Sequence, residues 1–177
     1  PDVHSPLSPD MESLAQHLFT KGYLENANFM PKAKFDVTAF QTVYSRTFLK
    51  HAAVKLGKHE SEIAKWLSAS DLKKIAQFGC PSLGINTVES SKIMRRYFGI
   101  DEGKVCGKCP LKQSCNFSYK APQQRRSVKE LSLSPVMRVL VIYALGLVPK
   151  ELTVPEDVSA SVSRLMKEIV KLSRTVS

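Results

Sequence analysis

All four cysteines of this 177-residue chain, Cys80, Cys106, Cys109 and Cys115, fit one pattern, C-x25-C-x2-C-x5-C, with three of them inside ten residues. A chain this long can bury a hydrophobic core without covalent staples, so a disulfide framework is not required. The turn in a Cys-x-x-Cys segment aims both sulfurs the same way, and Cys115 follows one short loop later. A fourth ligand must come from elsewhere, and Cys80 is the remaining thiol. It lies in Phe78-Gly79-Cys80-Pro81, just past a predicted helix end, where Gly permits a positive φ and Pro stops the helix. The fold is therefore expected to bring residue 80 against the 106–115 loop.

The pattern favours a [4Fe–4S] cluster, with Zn2+ as the alternative. Structural zinc usually takes two paired knuckles, whereas Cys80 has no paired neighbour and five residues separate Cys109 from Cys115. Disulfides and a redox dithiol are the remaining readings. The dithiol would want a preceding strand, and none is predicted.

The stretch Cys106-Gly-Lys-Cys-Pro-Leu-Lys-Gln-Ser-Cys115 resembles the last three ligands of the [4Fe–4S] loop in MutY-type and endonuclease III-type DNA glycosylases. It is also similar to the C-terminal cysteine triplet of RecB-type nucleases that carry iron–sulfur clusters. The resemblance covers about ten residues. It implies that Cys106, Cys109 and Cys115 are cluster ligands and that Cys80 fills the remote position. It does not extend to either enzyme's catalytic residues. No Gly-rich hairpin followed by a catalytic Asp is present, and Glu62-Ile63-Ala64-Lys65 reads as helix rather than as a nuclease strand. Neither of these two enzyme activities is expected, and the sequence leaves open whether the chain is an enzyme of another kind.

Elsewhere the apolar periodicity is helical, with no period-2 strand and no internal repeat. The expected fold is all-α: one helical domain over 1–177, with a metal-site region at 78–120 and apolar C-terminal helices within 134–174. Ser8-Pro9 opens a helix to about Leu18, and Asp36 caps a second that ends at Gly57. In that second helix Phe40, Val43, Tyr44, Phe48 and Ala52 are expected to share the buried face. Shorter helices follow over about Glu60–Leu67, with Trp66 as core, and Asp71–Phe78, capped by Ser70. Asn86 with Glu89 suggests a capping box for a helix that stops at Gly99. Ser134-Pro135 and Pro155-Glu156-Asp157 open the last two. The longest apolar run, Val139 to Val148, is far too short to span a membrane.

Charge is the compositional outlier. Twenty-six Lys and Arg against sixteen Asp and Glu give a formal +10, which favours an anionic partner. Lys92, Arg95, Arg96, Lys104, Lys108, Lys112, Lys120, Arg125, Arg126 and Lys129 cluster around the cysteine loop, opposed by Asp101 and Glu102 alone. The first nine are candidate nucleic-acid contacts, interleaved with Tyr97, Phe98, Phe117 and Tyr119. Arg95 and Arg96 lie on a helix and are expected to be the better-ordered contacts.

The expectation is thus an iron–sulfur-stabilised nucleic-acid-binding protein, RNA before DNA because no DNA-reading motif is present. It would serve organellar RNA metabolism or a ribonucleoprotein, with protein partners also open. The alternatives are a small electron-transfer or redox-sensing protein and a zinc-stabilised scaffold subunit. Charge and a start without Met point to mitochondrion or chloroplast after removal of a leader, or to a piece of a longer protein; nucleus and cytoplasm are the other addresses.

Overall fold

A computed structural model describes residues 5–31, 34–118 and 128–176. The helices are α1 (Pro9–Thr20), α2 (Val43–His59), α3 (Ala69–Phe78), α4 (Ile85–Phe98), α5 (Glu102–Cys106), α6 (Leu133–Ala144) and α7 (Glu156–Thr175). Short 3-10 turns occupy Val37–Phe40, Ser61–Trp66 and Lys112–Ser114. The fold is all-α, with no strand among the described residues and no helix long and apolar enough to cross a membrane.

The most apolar helix is the most enclosed. In α6, Leu133, Val136, Met137, Val139, Leu140, Val141 and Ile142 are all buried, so α6 serves as a central post. It packs against α2, α4 and α7, while α3 bridges α4 and α7, and α1 covers α7. Along α7, Val158, Val162, Leu165 and Ile169 form the buried stripe that the sequence predicts, with Leu172 at its partly covered edge.

The second predicted helix is different in the structure. Asp36 caps only a 3-10 turn, its Oδ1 accepting from the Thr38 amide at 3.1 Å. The chain then breaks at Gln41-Thr42 and restarts as α2, where Thr42 and Ser45 exchange reciprocal cap hydrogen bonds. The break resets the helical phase. Ser45, Arg46, Leu49, Ala52, Ala53 and Leu56 face inward, while Val43 and Tyr44 are exposed. Arg46 is buried and satisfied entirely by carbonyls: Nε donates to Phe40 O (2.8 Å), Nη1 to Leu145 O (2.7 Å), and Nη2 to Ser5 O.

Three further expectations are corrected. Gly57 does not end α2, which continues to His59. It is a contact point instead, because a Cβ there would lie 2.8 Å from Ser134 Cα at the start of α6. The caps of α3 and α4 also shift: Ser68 rather than Ser70 accepts from the Asp71 amide, and α4 begins after Gly84 without a side-chain cap. Trp66 is 70% exposed rather than core; the buried residues of its segment, a 3-10 turn, are Ile63 and Ala64.

An ion-pair network ties α3 to α7. Asp71 accepts from Ser161 Oγ at 2.8 Å and from Arg164 Nη2 and Nε at 2.8 and 3.1 Å. The hydrogen-bonded Arg164 guanidinium holds the Asp71 carboxyl below the usual carboxylate range. A depressed folded-state pKa gives stability that is present above the unfolded carboxylate value and is lost as pH falls through the folded one. Urea midpoints measured across the acid range should therefore drop less steeply with pH for Asp71→Asn than for the parent chain. Gly57→Ala should lower stability by about 1–3 kcal/mol from overpacking, despite alanine's better helix propensity. A raised urea midpoint for that variant would refute the close-approach account.

Candidate metal centre

The cysteines reach one place by three local routes. After α3, Gly79 takes φ 125° and ψ −152°, a backbone region that a side chain disfavours, and Pro81 follows, so the chain swings Cys80 out of the helical path. Asp101 caps α5 through the Gly103 amide at 3.0 Å, and Cys106 closes that helix. Tight turns then carry Cys109 and Cys115: the Cys109 amide donates to Cys106 O, Lys112 to Cys109 O and Cys115 to Lys112 O, at 3.2–3.3 Å. None of the four cysteines is in a disulfide.

Together they line a single cavity with Val88, Lys92 and Arg95 of α4, and Leu83, Val105, Leu111 and Phe117 complete much of its apolar wall. The cavity is small, about 30 Å³, roughly the space of one water molecule. Among the described residues no three His, Cys, Asp or Glu side chains are grouped as ligands of one metal ion.

Two backbone amides point at sulfur: Leu111 N to Cys109 Sγ at 3.4 Å and Phe117 N to Cys115 Sγ at 3.3 Å. Arg95, 1% exposed, sends Nη2 to within 3.5 Å of Cys80 Sγ. The same guanidinium forks onto Glu102, with Nε–Oε1 2.7 Å and Nη2–Oε2 3.0 Å, a bidentate geometry. Glu102 also lies 3.9 Å from Cys106 Sγ, which donates to it. Burial alone would push Arg95 toward neutrality, but Glu102 and Cys80 outweigh it and raise its pKa. Burial pushes the Cys80 thiol up, opposed by Arg95.

Two buried polar atoms connected with this corner have no hydrogen-bond partner, Arg95 Nη1 and Tyr143 Oη, whereas the Ser91 hydroxyl is within reach of Cys80. Ser91 and Arg95 belong to α4, and Tyr143 is close enough to feel the charges of both Cys80 and Arg95. A cationic, donor-rich corner beside four thiols suits an anionic occupant. A thiolate-ligated metal centre meets that requirement, since buried donors without partners are costly and amides or cations beside ligating sulfurs stabilise their charge. Four thiols are the donor chemistry that an iron–sulfur cluster takes, and Cys80, Cys106, Cys109 and Cys115 are the residues that would hold one.

The basic residues divide. Lys92 and Arg95, expected at the surface, are buried: Lys92 Nζ donates to Phe117 O at 3.0 Å and Arg95 is committed to Glu102 and Cys80, so neither charge faces outward. Arg96 is half-buried, with Nε unpartnered. Lys112 is half-buried and its Nζ lies 3.5 Å from Gly107 O. Lys104 and Lys108 are exposed. Lys120, Arg125 and Arg126 lie outside the described residues. Sequence reasoning counted Glu102 only as an opposing surface charge. Its spacing four residues before Cys106 within α5, which puts both on one face, was the available signal.

No protein-family model, curated protein or solved structure matches this chain, so the reading of the site rests on its own geometry.

Removing one partner of a buried pair leaves the other charge uncompensated, at a cost of about 3–5 kcal/mol. Glu102→Gln should therefore lower the unfolding free energy by about 3 kcal/mol in urea titrations. A midpoint equal to that of the parent would show that Arg95 finds compensation elsewhere.

Proposed function

We propose that the four cysteines hold a [4Fe–4S] cluster and that the loaded protein binds nucleic acid, RNA before DNA, in organellar RNA metabolism or a ribonucleoprotein. The observation that carries the cofactor reading is the shared cavity. Four thiols from two segments of the chain line it, facing a buried guanidinium that has an unused donor. When bound, the cluster supplies a rigid, negatively charged cross-link. Cys80 would anchor the turn after α3, and Cys106, Cys109 and Cys115 the loop after α5. Arg95 would balance part of the thiolate charge, with Glu102 keeping it oriented toward Cys80.

The nucleic-acid half of the reading draws on the +10 net charge and on Lys104 and Lys108, exposed beside the cysteine loop. Phosphate contacts of this kind make binding steeply salt-dependent. A second reading, electron transfer, has one observation in its favour. Cys109 and Cys115 are half-exposed, which would bring one cluster edge near a docking partner.

Anaerobically purified protein should be brown, with broad visible absorption and about four irons per chain, and Cys80→Ser should lose both colour and iron. Colourless protein with one zinc per chain would replace the cluster by the zinc reading. Single-stranded RNA should bind at low salt and be released as salt rises; an absence of binding under those conditions would leave electron transfer as the better account.

A further inference from the structure

Beside the cysteine cavity runs a wider groove of about 480 Å³. Its apolar floor is Phe78, Ile100, Val105 and Leu152, and its charged lining is Lys104 and Lys108. Three other grooves on the molecule each include a carboxylate, from Glu25, Glu130 or Asp10; this one has none in its lining. Asp101 and Glu102, the nearest acids in sequence, are occupied with the α5 cap and with Arg95.

We infer that this groove between the end of α3, α5 and the 152–153 segment binds single-stranded nucleic acid, seating a base on the apolar floor beside Phe78 while Lys104 and Lys108 hold the flanking phosphates. This rests on the nucleic-acid reading above and gives it a location. Phe78 is half-buried, so part of its ring is open to a base, and stacking of that kind tolerates any sequence. Gln77 and Thr153, both exposed, stand at the same groove as hydrogen-bonding groups. An apolar floor beside two exposed cations matches the alternating base and phosphate of an extended strand; a duplex would offer the floor no free base face.

The groove and the cysteine cavity share a wall. Val105 and Cys109 line both, and the two lysines flank Cys106 in sequence. The loop that the proposed cluster would pin is therefore the loop that shapes the groove.

The test is fluorescence anisotropy of a labelled single-stranded RNA oligonucleotide with anaerobically prepared, metal-loaded protein over a salt series. Joint Lys104→Ala and Lys108→Ala change should weaken binding about tenfold and reduce the slope of log K against log salt by about 1.4, two contacts at the single-strand value. Thr153→Trp, which fills the groove without altering charge, should also weaken binding. The charge-matched pair Lys58→Ala and Lys171→Ala, both exposed elsewhere, should change affinity no more than about twofold and leave the slope nearly intact. An unchanged absorption spectrum identifies variants that keep the centre. If both lysine pairs weaken binding equally, or Thr153→Trp binds like the parent, the groove is not the site. If the parent protein ignores RNA at low salt, or takes up only an acidic peptide, the nucleic-acid reading itself falls and the groove assignment with it.

Discussion

The arrangement around the cysteines depends on the buried guanidinium of Arg95. A charge withdrawn from water must be paired and hydrogen-bonded or the fold pays heavily, and Glu102 is the carboxylate that meets it. For Glu102 to arrive, α4 must stop at Gly99 and the chain must turn at once into α5, which Asp101 caps. That turn carries Cys106 along, one helical turn beyond Glu102. The other side of the guanidinium faces Cys80. One planar, five-donor group thus registers two cysteine-bearing segments against α4, with donor capacity left over at Nη1.

The site stands on a platform organised by α6. This helix is apolar around most of its circumference and can be stable in water only when surrounded, so α2, α4 and α7 enclose it. The closest approach, at Gly57, lets the α2 backbone lie almost directly on the start of α6. Arg46 holds the opposite end of α6 by donating to Leu145 O and also reaches the chain before α1. The platform matters to function because α4 packs on α6, and α4 supplies the cationic wall of the cysteine cavity.

The sequence was most legible where a local signal is also the cause of the structure. Pro9 and Pro155 start their helices, Gly99 ends α4, and Gly79 turns the chain into Cys80 as expected. Legibility failed where packing chooses between locally equivalent options. Gly57 carries the composition of a helix stop yet serves as a close-contact point. Trp66 is hydrophobic enough for a core but is exposed on a 3-10 turn that buries Ile63 and Ala64 instead. Arg95 has the composition of a surface phosphate contact, and nothing local reveals that it points into the protein.

By itself, the sequence determined an all-α chain, the membership of the cysteine set and the concentration of positive charge around it. Those follow from short-range periodicity, spacing and composition. Only the tertiary structure decided which basic residues keep their charge for a partner. Lys92 and Arg95 are spent inside, while Lys104 and Lys108 remain outside on a groove. The physical reason is that burial and ion pairing depend on what a neighbouring helix presents, and Glu102, Phe117 and Tyr143 come to this corner from beyond α4.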